Sequence, residues 1–191
     1  MSLSALPNAK LDTGLPLAAE FHLRNCQNFL QAAQYVQNLP YGRNTGSPAY
    51  LSVLADGRGT CSSKHALISA LAQEQGLDVR LILGIYEMDD ANTPGVGAVL
   101  NAADIPAIPE AHCWLEYDGT PVDLTSTGAQ SQFQKRVFIH KEEIAPEQTG
   151  AYKGRAHKDF LSIWLSGQPQ IELDEKEMWG VREQCIAALS E

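Results

Sequence analysis

The chain is poor in basic residues and has no long apolar run, and each shortage argues against a class of protein. It has 14 Lys and Arg against 23 Asp and Glu, which gives a formal net charge of −9. Nucleic acids and anionic membrane surfaces require a basic face, so we expect neither as a partner. No apolar run reaches the length of a membrane span, and the first residues lack the apolar stretch of a secretion signal. We therefore expect a cytoplasmic protein that does not enter membranes.

Cysteine is also scarce, and its spacing argues against both disulfides and metal. The four cysteines are Cys26, Cys61, Cys113 and Cys185, and no two of them form a Cys-x-x-Cys pair. Such spacing is typical of free thiols and not of a disulfide scaffold. No set of His and Cys residues has the spacing of a zinc finger, so we expect no metal and no other cofactor.

The pattern of apolar residues predicts an α+β protein with an antiparallel sheet. The 191 residues contain no low-complexity stretch, and we expect a single domain over residues 1–191. Helical periodicity is found over about residues 15–39, 61–75, 155–166 and 174–189. Runs typical of strands lie at about 79–86, 111–117, 121–125 and 135–140. The segment 87–109 is rich in Gly and Pro and is predicted to be a long loop that selects the substrate.

One predicted helix carries a thiol, and the two strands of a later hairpin carry an imidazole and a carboxylate. Cys61 begins a helix, where unpaired backbone N–H groups and the helix dipole favour the thiolate form. His112 lies near the start of a strand, and Asp123 lies on the next strand of a hairpin. These residue types, in this order, are those of a Cys-His-Asp nucleophilic triad.

The turn between the two strands tests this assignment. Asp-Gly at 118–119 is a strong signal for a two-residue hairpin turn. The predicted pairs are Tyr117 with Thr120, Leu115 with Val122, and His112 with Thr125. Asp123 is then a diagonal neighbour of His112 on the same face, roughly 7–8 Å away. A turn longer by one residue would move Asp123 to the opposite face.

The same residues resemble the signatures of the transglutaminase-like superfamily. The first signature, Gly-x-Cys at a helix start and then spaced apolar and glycine positions, matches Gly59, Cys61, Leu67, Ala70, Leu71, Gly76, Arg80 and Gly84. The second, His-x-Trp-x-Glu followed by Asp-x-Thr, matches His112, Trp114, Glu116, Asp123 and Thr125. The motif-bearing core therefore covers about residues 35–126, and a helical extension follows over about 155–189.

The resemblance implies a papain-like core, with a cysteine-bearing helix packed on the antiparallel sheet and flanking N- and C-terminal helices. It implies an acyl-transfer enzyme with Cys61 as nucleophile, His112 as base and acid, and Asp123 as orienting residue. The partner would be a peptide or protein amide, attacked to give a thioester that water or an amine resolves. Position 65 is usually small in the family and is histidine here, and we interpret His65 as a hydrogen-bonded helix residue.

Several alternatives stay open at the level of sequence. The scaffold can lose activity and serve as a protein-binding module that keeps the triad as a relic. Acyl transfer from a thioester cofactor, as in arylamine acetyltransferases, uses the same residue types in the same order. The second oxyanion donor, beside the backbone N–H of Cys61, has three upstream candidates: Tyr41, Asn44 and Tyr50. The sequence indicates no oligomeric state.

Overall fold

The computed structural model describes residues 3–128 and 132–189 and has an antiparallel sheet flanked by helices, which confirms the predicted α+β class. The remaining residues of the predicted domain, 1, 2, 129–131, 190 and 191, lie outside the described part. The helices are α1 (Pro16–His22), α2 (Phe29–Asn38), α3 (Val53–Asp56), α4 (Cys61–Glu74), α5 (Gly97–Ala102), α6 (Ala151–Ser166) and α7 (Glu175–Ala188). The strands are β1 (Arg80–Met88), β2 (Ile108–Tyr117), β3 (Thr120–Val122) and β4 (Phe138–Glu143), and their order in the sheet is β3-β2-β1-β4.

The hairpin of β2 and β3 has the predicted register. Its backbone pairs are Leu115 with Val122, Glu116 with Pro121, and Tyr117 with Thr120. Asp118 and Gly119 have φ angles of 47° and 69°, so both are left-handed, as the tight turn requires. The strand ends at Val122, however, which makes the prediction of a strand to residue 125 too long. Asp123 therefore lies in the segment that leaves the sheet.

The central strand β1 is buried on both faces, as its apolar sequence predicts. It pairs with β2 on one side and β4 on the other, and Gly84 lies opposite His112. A Cβ at Gly84 would lie 2.6 Å from atoms of both Trp114 and Phe138. Because Gly84 has no side chain, the indole of Trp114 can pack against β1 at the residue that pairs with His112.

Two apolar clusters hold the helices to the sheet. The larger lies between the sheet and helices α1, α2 and α4, and includes Phe21, Phe29, Leu67, Leu71, Leu83 and Leu115. The smaller joins the end of β1 to helices α5, α6 and α7, and includes Met88, Leu100, Leu161, Met178 and Val181. The cysteine-bearing helix α4 packs against β2, and the flanking helices implied by the resemblance are present.

The prediction of one helix over residues 15–39 is wrong. Two helices, α1 and α2, are separated by a turn in which Asn25 has a φ of 63°, a left-handed conformation that ends helical hydrogen bonding. Cys26 lies in this turn and is buried, although it is not on a helix. Among the described residues, no helix has the length and apolar character needed to cross a membrane.

The prediction of a loop throughout residues 87–109 is also wrong in part. Strand β1 continues to Met88, helix α5 spans Gly97–Ala102, and β2 already begins at Ile108. The spaced apolar residues that drive this order are buried in the smaller cluster: Val96, Leu100, Ile105 and Ile108. Only residues 89–96 and 103–107 connect regular elements.

Candidate active site

The helix that begins at Cys61 is capped at its N-terminus by two reciprocal hydrogen bonds between Thr60 and Ser63. The hydroxyl of Thr60 accepts a hydrogen bond from the Ser63 N–H at 3.3 Å, and the Ser63 hydroxyl accepts one from the Thr60 N–H at 2.9 Å. Cys61 is the first helical residue, so its own N–H has no partner within the helix. The helix dipole and these N–H groups favour negative charge at its side chain.

The buried residue Lys64 ties this helix to two other segments. Its side chain has no exposed surface, and its ammonium donates to the carbonyl oxygens of Leu39 at 2.5 Å and Thr125 at 2.8 Å. Burial lowers the pKa of Lys64 to about 8, although the negative charge of Asp123 opposes this shift. Gly59 allows the arrangement, because a Cβ there would lie 2.9 Å from Cγ of Lys64. Lys64 therefore fixes the segment that carries Asp123 relative to the helix that carries Cys61.

The substitution Lys64→Met is expected to lower the free energy of unfolding by about 2–4 kcal/mol, because it leaves buried carbonyl oxygens without donors. Urea denaturation measures the change. The matched control is Lys176→Met, which replaces an exposed lysine and should change stability by less than about 0.5 kcal/mol. Equal stability of the two variants would contradict the structural role of Lys64.

His112 and Asp123 form a buried hydrogen-bonded pair. The Nε2 atom of His112 lies 2.8 Å from Oδ2 of Asp123, and both residues are buried. The other carboxylate oxygen of Asp123 accepts hydrogen bonds from the N–H of Thr125 at 2.8 Å and from its hydroxyl at 2.6 Å. Burial raises the pKa of Asp123, but the charge and hydrogen bond of His112 outweigh it and hold that pKa well below its usual range. Asp123 is therefore a carboxylate that accepts from Nε2, which leaves Nδ1 of His112 for another partner.

The thiol of Cys61 is surrounded by groups that favour its charged form. Burial raises its pKa, but the charges of Lys153 and His112, together with a hydrogen bond from His112, lower it to about 5. The ammonium of Lys153 is 3.9 Å from the sulfur and donates to the Ser62 hydroxyl at 2.7 Å. The pKa of His112 is shifted upward instead. Burial lowers it, but the charges of Asp123 and the Cys61 thiolate raise it above its ordinary value. Both shifts favour a thiolate and an imidazolium over a neutral thiol and a neutral imidazole.

His65 is hydrogen-bonded on both ring nitrogens, which confirms its interpretation from the sequence. Its Nε2 accepts from the N–H of Leu124 at 2.6 Å, so the proton is on Nδ1, which donates to the carbonyl of Cys61 at 2.5 Å. Burial lowers the pKa of His65 to about 4, and the ring is neutral. His65 thus links the backbone of Cys61 to the residue that follows Asp123.

Several charged groups around the site were not predicted from the sequence. Lys153 lies on α6 and Arg182 on α7, far along the chain from Cys61. Arg182 donates two hydrogen bonds of 2.7 Å to the buried carboxylate of Glu110. The sequence could have placed Glu110 beside the site. Residues two apart on a strand share a face, and His112 is two residues after Glu110. No comparable local signal marks the two cations.

A cavity of about 480 Å³ opens beside these groups. Cys61, His112 and Asp123 all line it, so the structure brings the three predicted site residues to one place. Thr93 and Pro94, from the connection that follows β1, form part of the wall. The volume is in the usual range for pockets that bind small ligands.

Of the candidates for the second oxyanion donor, Tyr41 lines this cavity together with Cys61. Burial raises the pKa of the Tyr41 hydroxyl far above its usual value, so it remains a donor. The other two are engaged elsewhere: Asn44 donates to Asp56 at 3.0 Å, and Tyr50 donates to Glu147 at 3.0 Å.

Comparison with known proteins gives the family. The profile of the transglutaminase-like superfamily matches residues 19–120, which is more than half of the chain. The matched segment includes Cys61 and His112 and ends before Asp123. No curated protein and no solved structure that was compared with the chain matches it. Within the described residues, no three His, Cys, Asp or Glu side chains are grouped as metal ligands would be. The chain therefore belongs to the transglutaminase-like superfamily, a family of papain-like cysteine enzymes.

Proposed function

We propose that the protein is a cysteine-dependent enzyme that transfers the acyl group of a peptide or protein amide. Cys61 is the nucleophile, His112 the general base and acid, and Asp123 the orienting carboxylate. The observation that carries the proposal is the buried chain of charges, in which Asp123 lies 2.8 Å from His112 and the pKa of Cys61 is lowered to about 5. Burial alone would raise the pKa of this thiol, so its lowered pKa comes from the charged groups beside it. A low pKa is what a nucleophilic cysteine requires.

The proposed reaction has two stages. The Cys61 thiolate attacks the amide carbon, and the oxyanion accepts hydrogen bonds from the Cys61 N–H and the Tyr41 hydroxyl. The His112 imidazolium gives its proton to the amide nitrogen as the C–N bond breaks, which leaves a thioester and a neutral imidazole. His112 then takes a proton from water or from an amine as that nucleophile attacks the thioester. The C–S bond breaks, and the thiolate and imidazolium return. Water yields a hydrolase and an amine yields a transglutaminase.

The surroundings of the cavity support two further parts of the proposal. Thr93 and Pro94 line it, which supports a role for the segment after β1 in selecting the substrate. Helix α6 contributes Lys153 beside Cys61, α7 contributes Ile186 to the cavity wall, and Leu189, which follows α7, also lines it. These contributions from the C-terminal helices support our proposal that the chain forms a single domain.

Alkylation by iodoacetamide between pH 4 and pH 9, followed by peptide mass spectrometry, tests the proposal. Cys61 should react with a midpoint near its lowered pKa of about 5, whereas burial raises the pKa of Cys113 to about 11 and keeps it unreactive. Screening fluorogenic amides with and without an added primary amine then separates hydrolysis from transamidation. If Cys61 reacts no faster at pH 6 than the other cysteines, the proposal is wrong and an inactive protein-binding module takes its place.

The substitution Lys153→Met tests the electrostatic part of this scheme. A charge about 4 Å from the thiolate contributes about 1 kcal/mol in water and more inside a protein. Because Lys153 is partly exposed, we expect the midpoint of Cys61 alkylation to rise by about one pH unit. Lys158→Met removes an exposed lysine from the same helix and should leave the midpoint unchanged. Identical profiles for both variants would show that Lys153 does not stabilise the thiolate.

A further inference from the structure

The negative groups around the cavity each have a positive group of their own. The pairs are Cys61 with Lys153 at 3.9 Å, Asp123 with His112 at 2.8 Å, and Glu110 with Arg182 at 2.7 Å. Arg136 also lines the cavity, and its guanidinium faces the carboxylate of Asp123, which already accepts a hydrogen bond from His112. His112 and Arg136 therefore share the negative charge of one carboxylate.

The guanidinium of Arg136 is buried without hydrogen bonds on two of its nitrogens. Its side chain is 11% exposed, and within residues 3–128 and 132–189 neither Nε nor Nη1 has a hydrogen-bond partner. The carboxylate of Asp123 lies 3.8 Å from Nη1, which is beyond hydrogen-bond distance. Buried donors without partners are rare in native proteins, because each one loses its bonds to water.

Neighbouring side chains hold this guanidinium in place. Its carbon lies 4.8 Å above the centre of the Tyr86 ring, so one face of the group is covered. The side-chain oxygen of Gln132, which also lines the cavity, is a further buried atom without a partner in the described part of the chain. A ligand with a negative, planar acceptor and an N–H group would satisfy both residues.

We propose that Arg136 binds a carboxylate of the substrate, so that the amide attacked by Cys61 carries a carboxylate near its scissile bond. The inference rests on the proposed function, since it specifies which amide enters the same cavity. The guanidinium and the His112 imidazole both face Oδ2 of Asp123, which puts the bound carboxylate next to the reacting groups. The fork of N–H donors in arginine matches a carboxylate and gives two parallel hydrogen bonds. On a chain of net charge −9, such a local cation is what allows an anionic substrate to bind.

Isothermal titration calorimetry on the Cys61→Ser protein at pH 7 tests this, because that protein binds the probes without reacting. The probes are two matched pairs: N-acetylglycine with N-acetylglycinamide, and glutaramate with glutaramide. In the first pair the carboxylate lies on the amine side of the amide, and in the second it lies on the acyl side. We expect one of the two carboxylates to bind about 10–100-fold more tightly than its neutral partner.

Variants of Arg136 in the same background identify the residue responsible. Arg136→Gln should abolish the preference, whereas Arg136→Lys, which keeps the charge but not the fork, should retain part of it. The proposal is overturned if neither carboxylate binds better than its neutral partner, or if the preference survives Arg136→Gln. Carboxylate binding together with an unreactive Cys61 in the alkylation experiment would refute the proposed enzyme and leave the anion site standing.

Discussion

In the His112→Ala variant, the midpoint of Cys61 alkylation should rise from about 5 toward the value of about 8.5 typical of a free thiol. Lys153 remains beside the sulfur and keeps the midpoint somewhat below that value. Turnover of an amide that the wild type cleaves should fall about 10³–10⁴-fold, because the variant also lacks the group that moves protons to and from the reacting atoms. The loss of turnover therefore exceeds what the change in thiolate fraction produces at neutral pH.

The control for this variant is His140→Ala. His140 lies on β4, and its side chain is 48% exposed, so its removal should alter neither the midpoint nor the turnover. A midpoint that stays near 5 in His112→Ala would mean that Lys153 and the start of α4 stabilise the thiolate by themselves. In that case the pairing of His112 with Cys61 would be refuted, even if turnover falls.

The parts of the site that the sequence predicted are those governed by short-range rules. Cys61 was assigned from its position at a helix start, and the helix begins there because Thr60 and Ser63 cap each other. His112 and Asp123 were assigned to one face because a two-residue turn leaves little choice of register. Even where β3 proved shorter than predicted, the tight turn kept Asp123 within reach of the imidazole.

The parts that were missed depend on contacts between distant segments. Lys153 and Arg136 are ordinary surface-type residues by sequence, and only the packing of later elements brings them beside Cys61 and Asp123. Lys64 was not recognised as buried, because a lysine without exposed surface is rare and its partners are backbone carbonyls, which leave no trace in sequence. The turn at Asn25 shows the same limit, since helical periodicity does not reveal a single left-handed residue.

The second large effect is expected for Asp123→Asn, which keeps the shape of the side chain and removes its charge. Amide turnover should fall about 10³–10⁴-fold, as expected when an orienting carboxylate becomes an amide. The reason is that Asp123 raises the pKa of His112, so without its charge the imidazole loses its proton at lower pH. A neutral imidazole no longer stabilises the thiolate, and the alkylation midpoint of Cys61 should rise as well. The measurements are the turnover rate and the pH profile of alkylation on the same preparations.

Asp118→Asn makes the same chemical change in the same hairpin and is the matched control. Asp118 is exposed and has a φ of 47°, a conformation that asparagine tolerates, so the turn and the register should persist. Asp118→Asn therefore keeps the fold, and only Asp123→Asn changes a charge that contacts His112. If Asp123→Asn works within about tenfold of the wild type, the ring of His112 must be held by its other contacts, such as the stacked indole of Trp114. The carboxylate would then serve the fold through its bonds to Thr125, and the triad would reduce to a pair.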